Sequence, residues 1–333
     1  MAQSQSLAPP DARTLIERMR GRRILVVGDV MIDEWIWGTV ERISPEAPVP
    51  VVAVSDHSFT LGGAGNVANN LRALGAGVTF VAAVGQDSFA RHVTELLERE
   101  GVPSNGLVVL DDRPTTRKTR VVAHNQQVVR ADWESSQPLP QAARNEMCDL
   151  VRALAPEVDA VVLSDYAKGV FSREIVEAAL ACPIVLADPK PQNLALFSGV
   201  MCVAPNASEA TRATGIAIVD DASLERAGAK LLETLGCTYV VITRGEHGMS
   251  LFGKDGARLH IPSVARTIFD VSGAGDTVIA VLTLALAAGA RVERAMQLAN
   301  FAAAAVVEKL GTATAGAQEI LALVDHAPSE RSS

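Results

Sequence analysis

Ile24-Leu25-Val26-Val27-Gly28-Asp29 is an unbroken apolar run that stops on a carboxylate. Apolar residues without alternation suit a strand buried on both faces, as in a parallel sheet covered by helices. Outward from it the pattern recurs in VTFVAAVG (78–85), AVVLSD (160–165), PIVLAD (183–188), MCVAPN (201–206) and YVVITRG (239–245). Stretches 89–100, 141–155, 172–181 and 222–235 between these runs have helical apolar spacing. This βαβα order predicts an α/β fold, a doubly wound and mostly parallel sheet with helices on both faces. Four of the runs end in a polar residue: Asp29, Asp165, Asp188 and Asn206. Open α/β sheets bind ligands beyond the carboxyl ends of their strands, so chemistry is expected there.

Two segments interrupt the alternation. Pro45–Val54 reads as extended, because its prolines deny it a helix or a central strand position. Thr119–Asp132 reads as a hairpin turning near His124-Asn125. Together they predict a small β-sheet lid, with segments near 38–58 and 115–133, inserted into one domain spanning 13–325. Residues 1–12 and 326–333 are expected to be frayed tails. An apolar lid face needs cover, and a homodimer through the lid sheet is the economical expectation.

The 333 residues are 48% hydrophobic and 20% charged, which excludes a disordered chain. With net charge −8 and no long basic run, no nucleic-acid partner is expected. The longest uncharged apolar stretch, Thr277–Ala290, is too short to cross a bilayer, and the first residues do not read as a secretory signal. Cys148, Cys182, Cys202 and Cys237 show no metal spacing and are expected as buried thiols in a reducing cytoplasm. The six histidines likewise lack ligand spacing.

The strongest chemical signal is DVSGAGD (270–276), followed by the apolar helix TVIAVLTLALAAGA. A Gly273-Ala274-Gly275 turn at a helix start presents backbone N–H groups unobstructed by side chains and forms an anion site. Asp276, in the first turn, would stand beside that anion and could serve as a base toward a hydroxyl. A second glycine cluster, LGGAGNVANN (61–70), leads into a helix near Asn66. Its GxGxxA spacing with Asp87 outlines a dinucleotide fingerprint, yet the strand that should immediately precede it, ILVVGD, lies well upstream. GMSLFGK (248–254) has P-loop spacing but ends in Asp255 and sits in a hairpin context. Asn206-x-x-Glu209 fits a capping box as well as a ligand site.

In this order, GGAGN and DVSGAGD resemble the two signatures of the ribokinase-like (PfkB) carbohydrate kinases, over about Ile24 to Gly311. Within that family, GDVMIDEWIWG, RISPEAPVPVV, TTRKTRVVAHNQQVVRAD, LSDYAKGVF, ADPKP, PNASE and TRGEHGM resemble the D-glycero-β-D-manno-heptose-7-phosphate kinases. The chain is expected to be the form without a nucleotidyltransferase domain. The resemblance implies a cytoplasmic enzyme using ATP and Mg2+, with Asp276 as base and Gly273, Ala274 and Gly275 as anion hole. Asn206, Ala207, Ser208 and Glu209 would serve magnesium and the ATP phosphates. Thr243, Arg244 and Gly245 match a nucleotide-contacting turn, and Asn300 would border adenine. Asp33, Gly62, Gly63 and Asn66 match sugar-gripping positions, and Asp270 matches a K+ position of some relatives. A sugar that already carries phosphate needs further cations, for which Arg117, Lys118, Arg120, Lys168 and Lys190 are candidates. Lys190 reaches equally toward ATP, and Asp165 is placed beside Lys168 on the sugar side.

Overall fold

The computed structural model describes residues 7–124, 126–265, 267, 269–309 and 311–326. From the N-terminus the chain forms α1 (Pro9–Met19), β1 (Arg23–Gly28), β2 (Val30–Ile43), β3 (Pro50–Gly63), α2 (Ala64–Ala73), β4 (Gly77–Gly85), α3 (Ser88–Arg99), β5 (Leu107–Leu110), β6 (Arg117–Ala123), β7 (Gln126–Trp133) and α4 (Gln141–Leu154). It continues with β8 (Ala160–Ser164), α5 (Arg173–Ala179), β9 (Val185–Asp188), β10 (Cys202–Val203), α6 (Ala207–Thr214), α7 (Asp221–Leu235), β11 (Tyr239–Thr243), β12 (Met249–Gly253), β13 (Arg258–Ile261), α8 (Ala274–Ala287), α9 (Val292–Val307) and α10 (Ala317–Asp325).

Nine strands form one sheet in the order β13-β12-β11-β10-β9-β8-β1-β4-β5. All neighbours pair in parallel except β11 with β12 and β12 with β13. The central strand β1 shows why the apolar runs do not alternate. Ile24 and Val26 enter a core shared with α1, α2, α8 and α9, while Leu25 and Val27 enter a second core with α4, α5 and α7. Each such buried side chain contributes about 1.5–3 kcal/mol. All four cysteines are free and buried. No helix among the described residues is long and apolar enough to cross a membrane.

A second sheet, in the order β3-β2-β6-β7, stands on the first. Its first strand begins earlier than the sequence predicts. β2 starts at Val30, directly after Asp29, and its first residues are buried before the strand rises into solvent. The extended reading of Pro45–Val54 is corrected over its first half. Residues 45–49 bend into a loop closed by Ser44 N–H to Val49 O at 2.8 Å, and β3 starts only at Pro50. His124 lies at the expected hairpin turn with φ +50°; Asn125 is outside the described residues.

The N-terminal expectation is also corrected. Residues 9–12 open α1, with Pro at its start, and bury Ala12, Leu15, Ile16 and Met19. Leu7 is buried as well. Residues 1–6 and 327–333 lie outside the described residues.

The lid sheet has two distinct faces. Asp33 pairs in register with Lys118, and Trp35 with Arg120, so these four share one face. Glu34, Arg117 and Thr119 take the other. That second face is fastened to α3: Arg117 lies 3.9 Å from the Phe89 ring centroid and 3.7 Å from that of Trp133. The His92 ring stacks on Phe59 at 4.5 Å. Ile43, Val54, Val129 and Trp133 remain exposed on the lid.

Candidate active site

Between β1 and β8 the strand order reverses, which opens a crevice at their carboxyl ends. Asp29 closes β1, and its Oδ2 accepts hydrogen bonds from Tyr166 N at 2.7 Å and Lys168 N at 3.1 Å. These bonds fix the loop after β8, in which Ala167 adopts φ +55°. Burial, with Asp165 nearby, pushes Asp29 up to about 6, and its Oδ1 is buried without a partner. Asp165, expected to bind substrate, spends its oxygens internally. Oδ1 accepts from Ala167 N at 2.8 Å and Oδ2 from Lys190 N at 2.9 Å, with Asn193 Nδ2 bonding both. Asp165 therefore ties two walls of the crevice together.

The DVSGAGD turn sits above this point. Gly273 caps α8 with φ +78°, and Asp276 follows in the first turn, 3% exposed. Asn66 Nδ2, from α2, donates to Asp276 Oδ2 at 2.9 Å, and the Tyr166 hydroxyl donates to Oδ1 at 2.7 Å. Burial lifts Asp276 to about 6, against the pull of those two donors. A Cβ at residue 273 would lie 2.6 Å from Asn66 Nδ2, so the close packing of turn and amide requires glycine. The three amides expected to form an anion hole are not equivalent. Ala274 N–H donates to Val271 O at 3.2 Å, whereas Gly273 and Gly275 N–H have no acceptor among the described residues.

Toward β9 and β10 lies a charged cluster. Lys190 Nζ bonds Glu209 Oε1 at 2.6 Å. Glu209 Oε2 accepts from Asn206 N at 3.0 Å and Asn206 Oδ1 from Glu209 N at 2.9 Å, a complete capping box. Ala207 and Ser208 form the first turn of α6 behind that cap. Thr243 bridges to Asn206, which brings the turn of Arg244 and Gly245 (φ +57°) beside it. Asp188 is buried and its carboxylate accepts no hydrogen bond among the described residues. Burial is the main cause that pushes it up to about 8, with Glu209 and Asp276 adding to it and Lys190 opposing. Burial pulls Lys190 down, but Asp188 and Glu209 outweigh it and its pKa is raised.

Two expected residues sit apart from this cluster. Asn300 Nδ2, on α9, donates to Pro262 O at 2.8 Å. Asp270 Oδ1 accepts from Ser272 N at 2.8 Å and Oδ2 from Gly311 N at 2.9 Å. Burial pushes Asp270 up, but these donors prevail and its pKa is lowered.

On the lid, Arg120 is paired with Asp33. Gly62 gives that pair room, since a Cβ there would collide with the Asp33 carboxylate. Gly63, at φ +59°, brings the chain against Asp29 O and the Tyr166 ring. Lys168 Nζ pairs with Glu134 at 2.6 Å. The dinucleotide alternative loses its footing here: the glycines of 62–65 follow the lid strand β3, and Asp87 caps α3 through Phe89 N and Ala90 N. Tyr166 was not legible as a site residue. Its only signal is its place between Asp165 and Lys168 at a strand end.

The pfkB family carbohydrate kinase profile matches residues 22–319. The chain belongs to the pfkB family of carbohydrate kinases. It is an ATP-dependent sugar kinase of the ribokinase-like fold. Among relatives of this pfkB kinase, the bifunctional protein HldE of Pelobacter propionicus is 46% identical over 325 residues, covering 96% of this chain and 67% of its own length. HldE of Desulfatibacillum aliphaticivorans is 46% identical over 311 residues, covering 92% and 64%. The chain thus spans about two thirds of the length of these relatives. Ribokinase of Arabidopsis thaliana, solved with ribose and ATP, superposes with TM-score 0.72 at 19% identity, covering 92% of this chain and all of that one. Escherichia coli phosphofructokinase-2, solved with potassium, gives TM-score 0.75 at 18% identity, covering 92% and 99%. At these identities the likeness concerns the fold.

Proposed function

We propose that this kinase transfers the γ-phosphoryl group of ATP to the anomeric hydroxyl of D-glycero-β-D-manno-heptose 7-phosphate, giving the 1,7-bisphosphate, a precursor on the way to ADP-heptose and the lipopolysaccharide core. The observation that carries the reading is the buried Asp276, fixed by Asn66 and Tyr166 at the open start of α8. The heptose assignment is supported by the resemblance of the PEAPVPVV, NQQVVRAD and SDYAKG segments and by 46% identity to HldE.

In this reading Asp276 accepts the proton of the attacking hydroxyl. A carboxylate has four lone-pair directions, so two donors leave it acceptor capacity toward the sugar. The hydroxyl oxygen attacks the γ-phosphorus in line as the bond to ADP breaks. Charge that develops on the phosphoryl oxygens meets the open amides of Gly273 and Gly275 and the α8 dipole. Asp33, with Gly62 and Gly63 behind it, grips sugar hydroxyls; Asn206 through Glu209, Thr243 to Gly245 and Lys190 receive the nucleotide, with Asn300 toward adenine.

Magnesium fits the oxygen donors present. The buried Asp188 carboxylate, unbonded and close enough to Glu209 to feel its charge, suits a hard cation that keeps several of its waters. Asp188 and Glu209 would hold the ion, which supplies charge neutralisation to the phosphates. Asp270, kept ionised beneath the turn, is the proposed attraction for K+; equal rates in K+ and Na+ would remove it. A homodimer covering the exposed lid residues, in the cytoplasm, completes the proposal.

The test is ADP release with heptose 7-phosphate beside ribose, fructose 6-phosphate and adenosine. High kcat/KM confined to the heptose supports the assignment. Preference for another acceptor makes this a pfkB kinase of a different sugar phosphate or of a nucleoside.

A further inference from the structure

Of the five cations that are candidates for the acceptor's phosphate, four already have carboxylate partners. Arg117 lies between Phe89 and Trp133 on the far face of the lid, with Glu34 at 3.5 Å. Arg120 is bound to Asp33, Lys168 to Glu134 and Lys190 to Glu209. Lys118 differs. Its ammonium makes no hydrogen bond and no ion pair among the described residues. It lies over the face of Tyr166, 5.7 Å from the ring centroid.

The surroundings of Lys118 do not supply the missing partner. Across the strand pair, Asp132 faces it in register, but Asp132 is held by Arg130 through both oxygens, at 2.9 and 3.0 Å, and makes no bond to Lys118 among the described residues. Beside it, Asp33 is engaged by Arg120. Burial pulls the Lys118 pKa down, Asp33 pushes it up, and Lys168 pulls it down again. An unpaired, half-buried ammonium is costly, and neighbouring cations add repulsion. An arriving dianion would relieve both costs at once.

Position completes the argument. The Tyr166 hydroxyl holds Asp276 and its ring lies under Lys118; Lys190 also lies over that ring, at 5.0 Å, but is bonded to Glu209. Asp276 and Lys118 are therefore no farther apart than one tyrosine side chain plus its contacts. That span suits a sugar whose reacting hydroxyl is at one end and whose phosphate is at the other.

We infer that Lys118 takes the phosphate that the acceptor sugar already carries, and so selects phosphorylated over unphosphorylated sugars. The inference rests on the proposed phosphorylated acceptor and names the side chain that recognises it. Lys190, held by Glu209, then serves the nucleotide side.

The experiment compares Lys118→Met and Lys118→Arg with the unaltered kinase, on heptose 7-phosphate and on the same heptose without phosphate. A charge-assisted bond of this kind corresponds to about 10- to 100-fold in affinity. Lys118→Met is expected to lower kcat/KM for the phosphorylated sugar about that much more than for the unphosphorylated one, mostly through KM, with Lys118→Arg recovering part of the loss. Melting temperatures of both variants establish that they fold. Equal losses on the two sugars, or none, overturn the role of Lys118 while leaving the heptose assignment standing. If another sugar phosphate is the better acceptor and Lys118→Met still discriminates against its phosphorylated form, Lys118 stands and the heptose assignment falls. An unaltered enzyme indifferent to the acceptor's phosphate overturns both.

Discussion

The Tyr166 hydroxyl donates to Asp276 Oδ1 at 2.7 Å, from a loop that Asp29 clamps through the Tyr166 and Lys168 amides. Burial and the charge of Asp276 hold the Tyr166 pKa well above its ordinary value, so the phenol stays a neutral donor. A donor to a carboxylate favours its charged form. Without it, Asp276 rises above about 6. A base works deprotonated, so its rate falls as pH drops through its pKa. Tyr166→Phe should move the acidic limb of kcat to higher pH and lower kcat at neutral pH by about tenfold. A pH–rate profile checks this, and an unmoved limb removes Tyr166 from the positioning of the base.

Asp276→Asn tests the base itself. The amide keeps the size of the side chain and can still pack at the start of α8, but it cannot accept a proton. General-base catalysis is worth about 10²–10⁴-fold, and kcat should fall by that much while ADP affinity by calorimetry stays within a few-fold. Near-normal turnover would mean that the proton leaves by another route.

The scaffold was legible because its apolar runs are buried on both faces; Ile24 to Val27 feed two cores from one strand. The glycine turn of 273–275 was legible because few other sequences open a helix that way. The lid was only half visible. β2 carries Asp33, Glu34, Trp35 and Trp37 on two functional faces, so no single-face alternation marks it as a strand. Contacts between distant residues were not visible at all. Tyr166 and Asp276 are far apart in sequence, and they become neighbours only where α8 packs against β8. Asp165 shows the opposite case. A carboxylate at a strand end looks like a ligand until the structure shows Ala167, Lys190 and Asn193 consuming it.

Asp188 carries a stability cost. Its pKa rises from an ordinary 3.8 to about 8, chiefly through burial. Between those values the folded state holds a proton that the unfolded chain releases, so this group's stability is present at low pH and is lost as pH rises through the window. Asp188→Asn removes the buried charge. Its Tm should exceed that of the unaltered kinase at pH 8, by about 2–4 °C for each kcal/mol relieved, and the difference should shrink toward pH 5. Turnover should fall at the same time, because a candidate magnesium carboxylate is gone. Scanning calorimetry at the two pH values measures the sign, and a lower Tm at pH 8 would show that Asp188 is stabilising where it stands.

Gly273→Ala joins backbone strain to a collision. Residue 273 has φ +78°, and its new methyl would meet Asn66 Nδ2 at 2.6 Å. Asn66 is fully buried and cannot swing into solvent. Moving it breaks the 2.9 Å bond to Asp276 Oδ2. Gly236→Ala is the matched control: it sits at φ +62°, at the C-cap of α7, with nothing within 4 Å of a Cβ. Both variants should lose about 1–2 kcal/mol from the left-handed backbone alone. Only Gly273→Ala should also lose kcat, by tenfold or more on the scale of a buried charge-assisted bond. Steady-state kinetics beside thermal melts separates the two effects. Equal kcat in both variants would mean that Asn66 does not orient the catalytic carboxylate.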